Sequence, residues 1–456
     1  MTNKDSISYR IFHSTFILGS AHLFVIFFNL LKNKTAAFLL GSEGIGMIAL
    51  LSSVIDLVKS FSSLGIDQSG IREMGCSQKN KLSTIAIIKK WTLLSSVFGA
   101  FICIFFSKTL SRFAFGNDEN YLYIMLLSIP IFISILTSAR LTIIKGLGFY
   151  KKVALYNSIS ALASLILSSS LYFLLGFKGI VLSLILSSAA SYIISAISYQ
   201  QCVDNSSKPS SSPSLKDGWQ MIKLGLFTVF SSISYSAALF IARSFINSKD
   251  SLSAIGVFQA SFTITIMYSA LILQSLSTEY FPRLSSVSYS NRKMSYYVNK
   301  QLSSLAVMAL PLLSIMMLLS PFVIRILYSI EFSDSVQLLQ MHLFGALLRI
   351  FSIPMAYILL VEKRGATYMF TEISWGVVYF ISMYLLWPHF GLSSTAIAYI
   401  LSYIYYFIVV AVSTRITSQF RISLKALKRI IFSLLFLLSS MLAMMFFNKE
   451  IISIIF

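Results

Sequence analysis

The stretch LLGSEGIGMIALLSSVIDLVKSFSSLGID, residues 39–67, decides the fold. From Ile45 to Leu64 it is mostly apolar or small, and at about 1.5 Å per residue it crosses the ~30 Å hydrocarbon layer of a bilayer as one helix. Near its middle stand Asp56 and Lys59, three residues apart and so on one helix face. Counted along the helix axis, Asp56 lies about 3 Å from the midpoint and Lys59 about 7–8 Å, on the cytoplasmic side. Charges at such depth are costly, and they usually face a water-filled cavity or each other. Lys59 is long enough to snorkel to the interface, whereas Asp56 is too short.

Similar apolar runs recur from end to end. The chain is 56% hydrophobic and 11% charged, with a mean hydropathy of +0.80. A soluble domain is about one quarter charged. A β-barrel is not expected, because its strands are alternating segments of ~10 residues rather than continuous apolar blocks. The expected fold is all-α, a polytopic membrane protein of thirteen spans near 11–31, 44–64, 84–106, 121–144, 153–175, 179–199, 219–246, 254–277, 302–328, 336–360, 367–387, 392–413 and 430–447. These group as a six-helix half over 1–200, a cytoplasmic Ser/Pro linker over 201–218, a second six-helix half over 219–413, and a basic loop with an extra hydrophobic segment over 414–456. A re-entrant or two-pass hairpin is the alternative for that last segment. The polar start MTNKDSISYR shows no small-residue cleavage site, so no cleaved signal peptide is expected. Cys76, Cys103 and Cys202 have neither disulfide-framework nor metal-ligand spacing, and no metal or cofactor is expected.

The net charge is +20. With the N-terminus inside, 25 of the Lys and Arg residues fall in cytoplasmic segments and 9 in outer ones, as the positive-inside rule requires. The basicity therefore records topology in a membrane, and nucleic acid is not an expected partner.

The two six-span blocks resemble each other. IGMIALLSSVIDLVKSFSSLGI begins at Ile45 and IGVFQASFTITIMYSALILQSL at Ile255, an offset of 210 residues. Further on, GFYKKVALYNSIS and EKRGATYMFTEIS align at about 214. Each block has an even number of spans, so the repeats run parallel about an axis along the membrane normal, as in transporters that rock two halves about a central site. Ile266 and Ser269 occupy the places of Asp56 and Lys59, so the charged pair belongs to one half only.

Three stretches carry a resemblance to a known family. They are KNKTAAFLLGSEGIGMIALLSSVIDLVKSFSSLGIDQSGIREM at 32–74, KGLGFYKK between spans 4 and 5, and EYFPRLSSV after span 8. With the duplicated six-plus-six plan, they resemble the Wzx-type O-antigen flippases of the MOP superfamily. The extra segment after Thr414 departs from that family's usual twelve spans. The resemblance implies transfer of an undecaprenyl-diphosphate-linked oligosaccharide repeat unit across the bacterial inner membrane by alternating access. It also implies membrane lipids, an O-antigen polymerase and a chain-length regulator as partners. It implies no ATP hydrolysis, and the chain has no G-x-x-x-x-G-K-[ST] stretch.

Such a cargo needs cations for its diphosphate and aromatic faces for its sugars. Ranked by depth, the candidates begin with Arg349, almost at the middle of span 10, with Pro354 five residues on. Asp56 and Lys59 come next. Arg140 and Lys145 at the inner end of span 4, and Arg243 and Arg325 near outer ends, are interface anchors or cationic rims. Asp56, Glu372 and Glu279 are the acids that could exchange ions. His22 and His342 are expected to bond neighbouring helices, and Tyr235, Tyr268 and Tyr357 to pack or to stack on sugars. For Arg349 the competing reading is a packing pair with an acid on a neighbouring helix. Two other functions compete. A multidrug exporter of the same superfamily would favour acids over the bases found here. A membrane polymerase or ligase would need a large outer loop, and the longest here is near Ser107–Asn120.

Overall fold

The structure, a computed structural model, describes residues 3–76, 81–203, 219–276 and 280–455. Among the described residues every regular element is a helix. A lipid environment leaves no other choice for an open chain, because unpaired backbone groups find no water there. The first helices are α1 (Asn3–Ser62), α2 (Ile66–Cys76), α3 (Lys81–Phe105), α4 (Ser107–Phe115), α5 (Tyr121–Leu126), α6 (Ser128–Gly146), α7 (Tyr150–Leu175) and α8 (Gly179–Gln200). The rest are α9 (Trp219–Lys249), α10 (Leu252–Ser275), α11 (Phe281–Ser286), α12 (Asn291–Leu327), α13 (Ser335–Val361), α14 (Gly365–Phe390), α15 (Ser394–Ser418) and α16 (Leu424–Ile455).

Among the described residues, ten helical runs are long and apolar enough to cross a membrane. Three of them, His22–Ser62 (41 residues), Tyr150–Gln200 (51) and Gly365–Ser418 (54), each hold two consecutive membrane-length segments. The first is broken at Gly41, whose φ of 66° with ψ of −166° suits only a residue without a Cβ. The chain restarts as a helix at Ser42, where the Glu331 carboxylate accepts from the Ser42 N–H and hydroxyl, both at 3.0 Å. An acid at a helix N-terminus satisfies orphan donors and complements the dipole.

Three details sharpen the sequence reading. The outer connection near Ser107–Asn120 holds a short helix, α4, closed by Gly116 in the left-handed region. Helix α12 starts at Asn291, well before the apolar run at 302, because its polar first turns are held by contacts described below. The C-terminal segment is one helix, not a hairpin. Residues 204–218, most of the expected linker, lie outside the described residues.

The chain forms two compact units, Met1–Leu40 with Leu50–Ser236, and Gly41–Ala49 with Ala237–Phe456. In the first, α6 packs on α2, α3 and α8, and α7 pairs with α8. In the second, α13 is the centre, packed by α10, α12, α15 and α16. This is why α13 is buried nearly all round, from Ser335 to Leu359.

Two kinds of correspondence mark the repeat. A Cβ on Gly46 would lie 1.9 Å from the Leu252 carbonyl oxygen, and one on Gly256 would lie 2.0 Å from that of Ser42. Gly46 and Gly256, like Ser42 and Leu252, are 210 positions apart, so the contact is reciprocal about a local two-fold axis. Later, Gly176 (φ 55°, ψ −132°) and Gly391 (φ 50°, ψ −132°) end α7 and α14 in the same conformation. Gly148 (φ 85°) and Lys363 (φ 59°) precede those two helices, again with a common offset of 215.

Candidate functional site

In the second unit, Arg349 is half-buried on a helix whose neighbours Leu348 and Ile350 are 5% and 0% exposed. A cation there needs partners within the protein. They come from α14 and from its own helix: Arg349 lies within electrostatic reach of Glu372, Tyr368 and Tyr357. The Tyr406 hydroxyl, from α15, donates to Glu372 Oε1 at 2.5 Å, and Tyr368 also hydrogen-bonds that carboxylate. Spacing explains the assembly, since Tyr368 and Glu372 are four apart on one face of α14. Pro354, one turn beyond Arg349, accepts from the Tyr280 hydroxyl at 3.0 Å. Burial pushes the Tyr280 phenol well up, which keeps it a donor. Tyr280 stacks on Tyr357 at 6.3 Å, and Phe281 meets Tyr357 edge-on at 5.3 Å.

An aromatic ladder continues from this cluster along α14 and α15. Tyr406 contacts Tyr403, Tyr403 contacts Tyr399 and Trp375, and Trp375 lies parallel to Tyr379 at 5.7 Å. His342 stands at its far end, fully buried against Phe258, Phe262 and Tyr399, with Nδ1 3.2 Å from the Ser261 hydroxyl. The whole group offers one guanidinium, one carboxylate, several phenol donors and ring faces.

In the first unit, Lys59 is half-buried and Asp56 is exposed. Lys59 and Lys145 both lie within electrostatic reach of Asp67, in the first turn of α2. The Thr142 hydroxyl is 3.4 Å from both the Asp67 carbonyl oxygen and Oδ1. Burial raises the Asp67 carboxyl above the usual carboxylate range, and the two lysines and Thr142 pull it back down. Two cations thus converge on one carboxylate.

The other candidates are placed separately. Arg140 donates to the Tyr192 carbonyl at 3.0 Å and lies over the Tyr192 ring at 3.8 Å, joining α6 to α8. Arg243 is buried and donates twice to Gln259 Oε1, at 3.1 and 2.8 Å, joining α9 to α10. Arg325 is exposed near the end of α12. Glu279 lies outside the described residues. Among the described residues, no group of three or more His, Cys, Asp or Glu could hold a metal.

Sequence reasoning missed Asp67, Thr142, Tyr368 and Tyr406. Asp67 falls just beyond the apolar run, where an acid looks like an ordinary loop residue. For the tyrosines, the four-residue spacing of Tyr368 and Glu372 was the available signal.

Comparison with known proteins gives three relevant findings. Residues 36–337 match the family described as "Polysaccharide biosynthesis protein". The lipid III flippase of Escherichia coli (strain K12) is 23% identical over 387 residues, covering 83% of this chain and 92% of that protein. Two solved structures share the fold: an inward-facing multidrug resistance MATE family transporter of the MOP superfamily, and the lipid II flippase MurJ in an inward closed conformation. The first has a TM-score of 0.71 at 15% identity, covering 86% of this chain and 94% of its own. The second has a TM-score of 0.71 at 16% identity, covering 96% and 98%.

Proposed function

Because the chain belongs to the polysaccharide biosynthesis protein family, we propose that it is a flippase for lipid-linked oligosaccharides. In this reading the cargo is an undecaprenyl-diphosphate-linked O-antigen repeat unit, moved from the inner to the outer leaflet of the bacterial inner membrane. The N-terminus is cytoplasmic, and an O-antigen polymerase and chain-length regulator take over the product. The observation that carries the reading is Arg349, a cation set with phenol donors inside an otherwise apolar membrane helix. Such a group suits an anionic diphosphate and the rings and hydroxyls of sugars. Nearly end-to-end similarity to a flippase supports it further.

The residues divide the work between units. Arg349 and the Lys59–Lys145 pair hold the diphosphate at successive stages. Arg140, Arg243 and Arg325 hold helices in register or draw the headgroup toward the membrane faces. Glu372 keeps Arg349 neutralised between cycles, and Asp56, Glu372 and Glu279 are the positions where an ion exchanges. The short outer loops favour transport over a polymerase or ligase.

Deletion and complementation test this. Without the gene, lipid-linked repeat units should accumulate on the cytoplasmic face, and the wild-type gene should restore their export. Normal export in the deletion strain, or complementation that restores only resistance to cationic dyes, would overturn the flippase reading.

A further inference from the structure

The extra helix α16 adds something that neither six-span half requires. One side chain bonds its approach twice: Asn299 of α12 donates to the Arg421 carbonyl at 3.0 Å and accepts from the Ser423 N–H at 2.7 Å. One turn on, Arg429 donates to the Ser303 carbonyl at 3.4 Å. These contacts hold the polar first turns of α12 against the start of α16.

The result is a dense positive corner. Helix α12 brings Arg292, Lys293 and Lys300, all exposed. Arg292 is seven residues before Asn299 and therefore on the same helix face. The loop and α16 bring Arg421, Lys425 and Lys428, also exposed. The chain has no Asp or Glu from Tyr280 to Ile330, nor from Ile373 to Lys449. Beside the cations stand exposed Tyr289 and Tyr296, and Leu424 and Leu427 at the first turn of α16. The Lys293 ammonium donates to the Tyr289 hydroxyl at 3.1 Å.

We propose that this corner, built by Asn299 between α12 and α16, is a binding site for the headgroup of an anionic phospholipid. Topology alone requires basic residues in this region, but it does not require a backbone clamp that gathers them. Gathered like charges repel, so the arrangement favours an anion between them. At the depth where apolar helix gives way to basic turns and tyrosines, the available anion is a lipid phosphate. The cargo diphosphate is the less suitable occupant, because the site depends on a helix outside the duplicated halves. The inference is independent of the cargo assigned above.

The test uses the full-length protein in nanodiscs of phosphatidylcholine, with phosphatidylglycerol titrated in and bound lipid counted by native mass spectrometry. Arg421→Gln/Lys425→Gln/Lys428→Gln should lose about tenfold or more in phosphatidylglycerol affinity, whereas Lys81→Gln/Lys151→Gln should stay within about twofold of wild type. Asn299→Ala, which keeps every cation, should weaken binding several-fold. Equal losses in the triple variant and in the Lys81/Lys151 control would reduce the site to diffuse charge and overturn it. Wild-type binding by the triple variant or by Asn299→Ala would also overturn it. So would displacement of phosphatidylglycerol by stoichiometric geranyl diphosphate, which would make it a diphosphate site.

Discussion

Arg349 is half-buried on the one partly open face of an otherwise buried helix, and its depth was legible because an apolar run gives each residue a place along the membrane normal. Its neighbours were not. Glu372 and Tyr406 come from two other helices, and one-dimensional spacing does not say which helices touch. Asp56 is deep by position and its side chain is exposed, which depth could not foretell, since depth does not fix which face a helix buries. The Arg349–Glu372 pair also joins the two readings of Arg349, because an acid on a neighbouring helix neutralises the same cation proposed to meet the diphosphate. The two roles separate by a double substitution. Arg349→Ala should cost on the order of 3 kcal/mol, because it leaves a carboxylate without its cation in a low-dielectric setting. Arg349→Ala/Glu372→Gln should recover most of that in thermal unfolding in detergent. Export should remain absent in both, while Arg349→Lys keeps part of it. Recovery of export by the double variant would make the pair purely structural.

At the scale of elements, the apolar runs located the membrane helices well, because hydrocarbon thickness fixes their length. They placed the start of α12 too late, since its first turns are polar and are held by Asn299 rather than by lipid. The repeat was legible as IG at 45–46 and 255–256, but the reason for those glycines was not. Each lets the backbone of its helix approach a carbonyl of the other. In a bilayer, where apolar side chains gain nothing by leaving lipid, such close approach is a main source of helix association. Gly46→Val and Gly256→Val should each destabilise by about 1–3 kcal/mol, the usual range for overpacking. The pair together should cost less than the sum, because the first already separates the shared contact. Full additivity in thermal unfolding would mean that the two glycines serve different interfaces.

For the molecule as a whole, composition and charge asymmetry sufficed for the class of fold, while the division of the chain depends on contacts. The second unit takes Gly41–Ala49 from the first sequence block, and the first unit takes the start of α9 from the second. No composition shift marks either exchange. The proposed orientation has a direct measurement. In a variant with Cys76, Cys103 and Cys202 replaced by Ala, Tyr289→Cys should react with a membrane-impermeant thiol reagent only from the cytoplasmic side. Asn117→Cys should react only from the periplasmic side. Reversed labelling would invert the topology. The clamp at Asn299 finally says something about how the protein is made. Its backbone partner at Arg421 lies 122 residues downstream. At ribosomal rates of about 5–20 residues per second, α12 waits on the order of ten seconds in the membrane before that partner exists. Loss of the last few dozen codons would therefore leave a finished-looking bundle with an open seam, which is the kind of lesion that membrane proteases recognise.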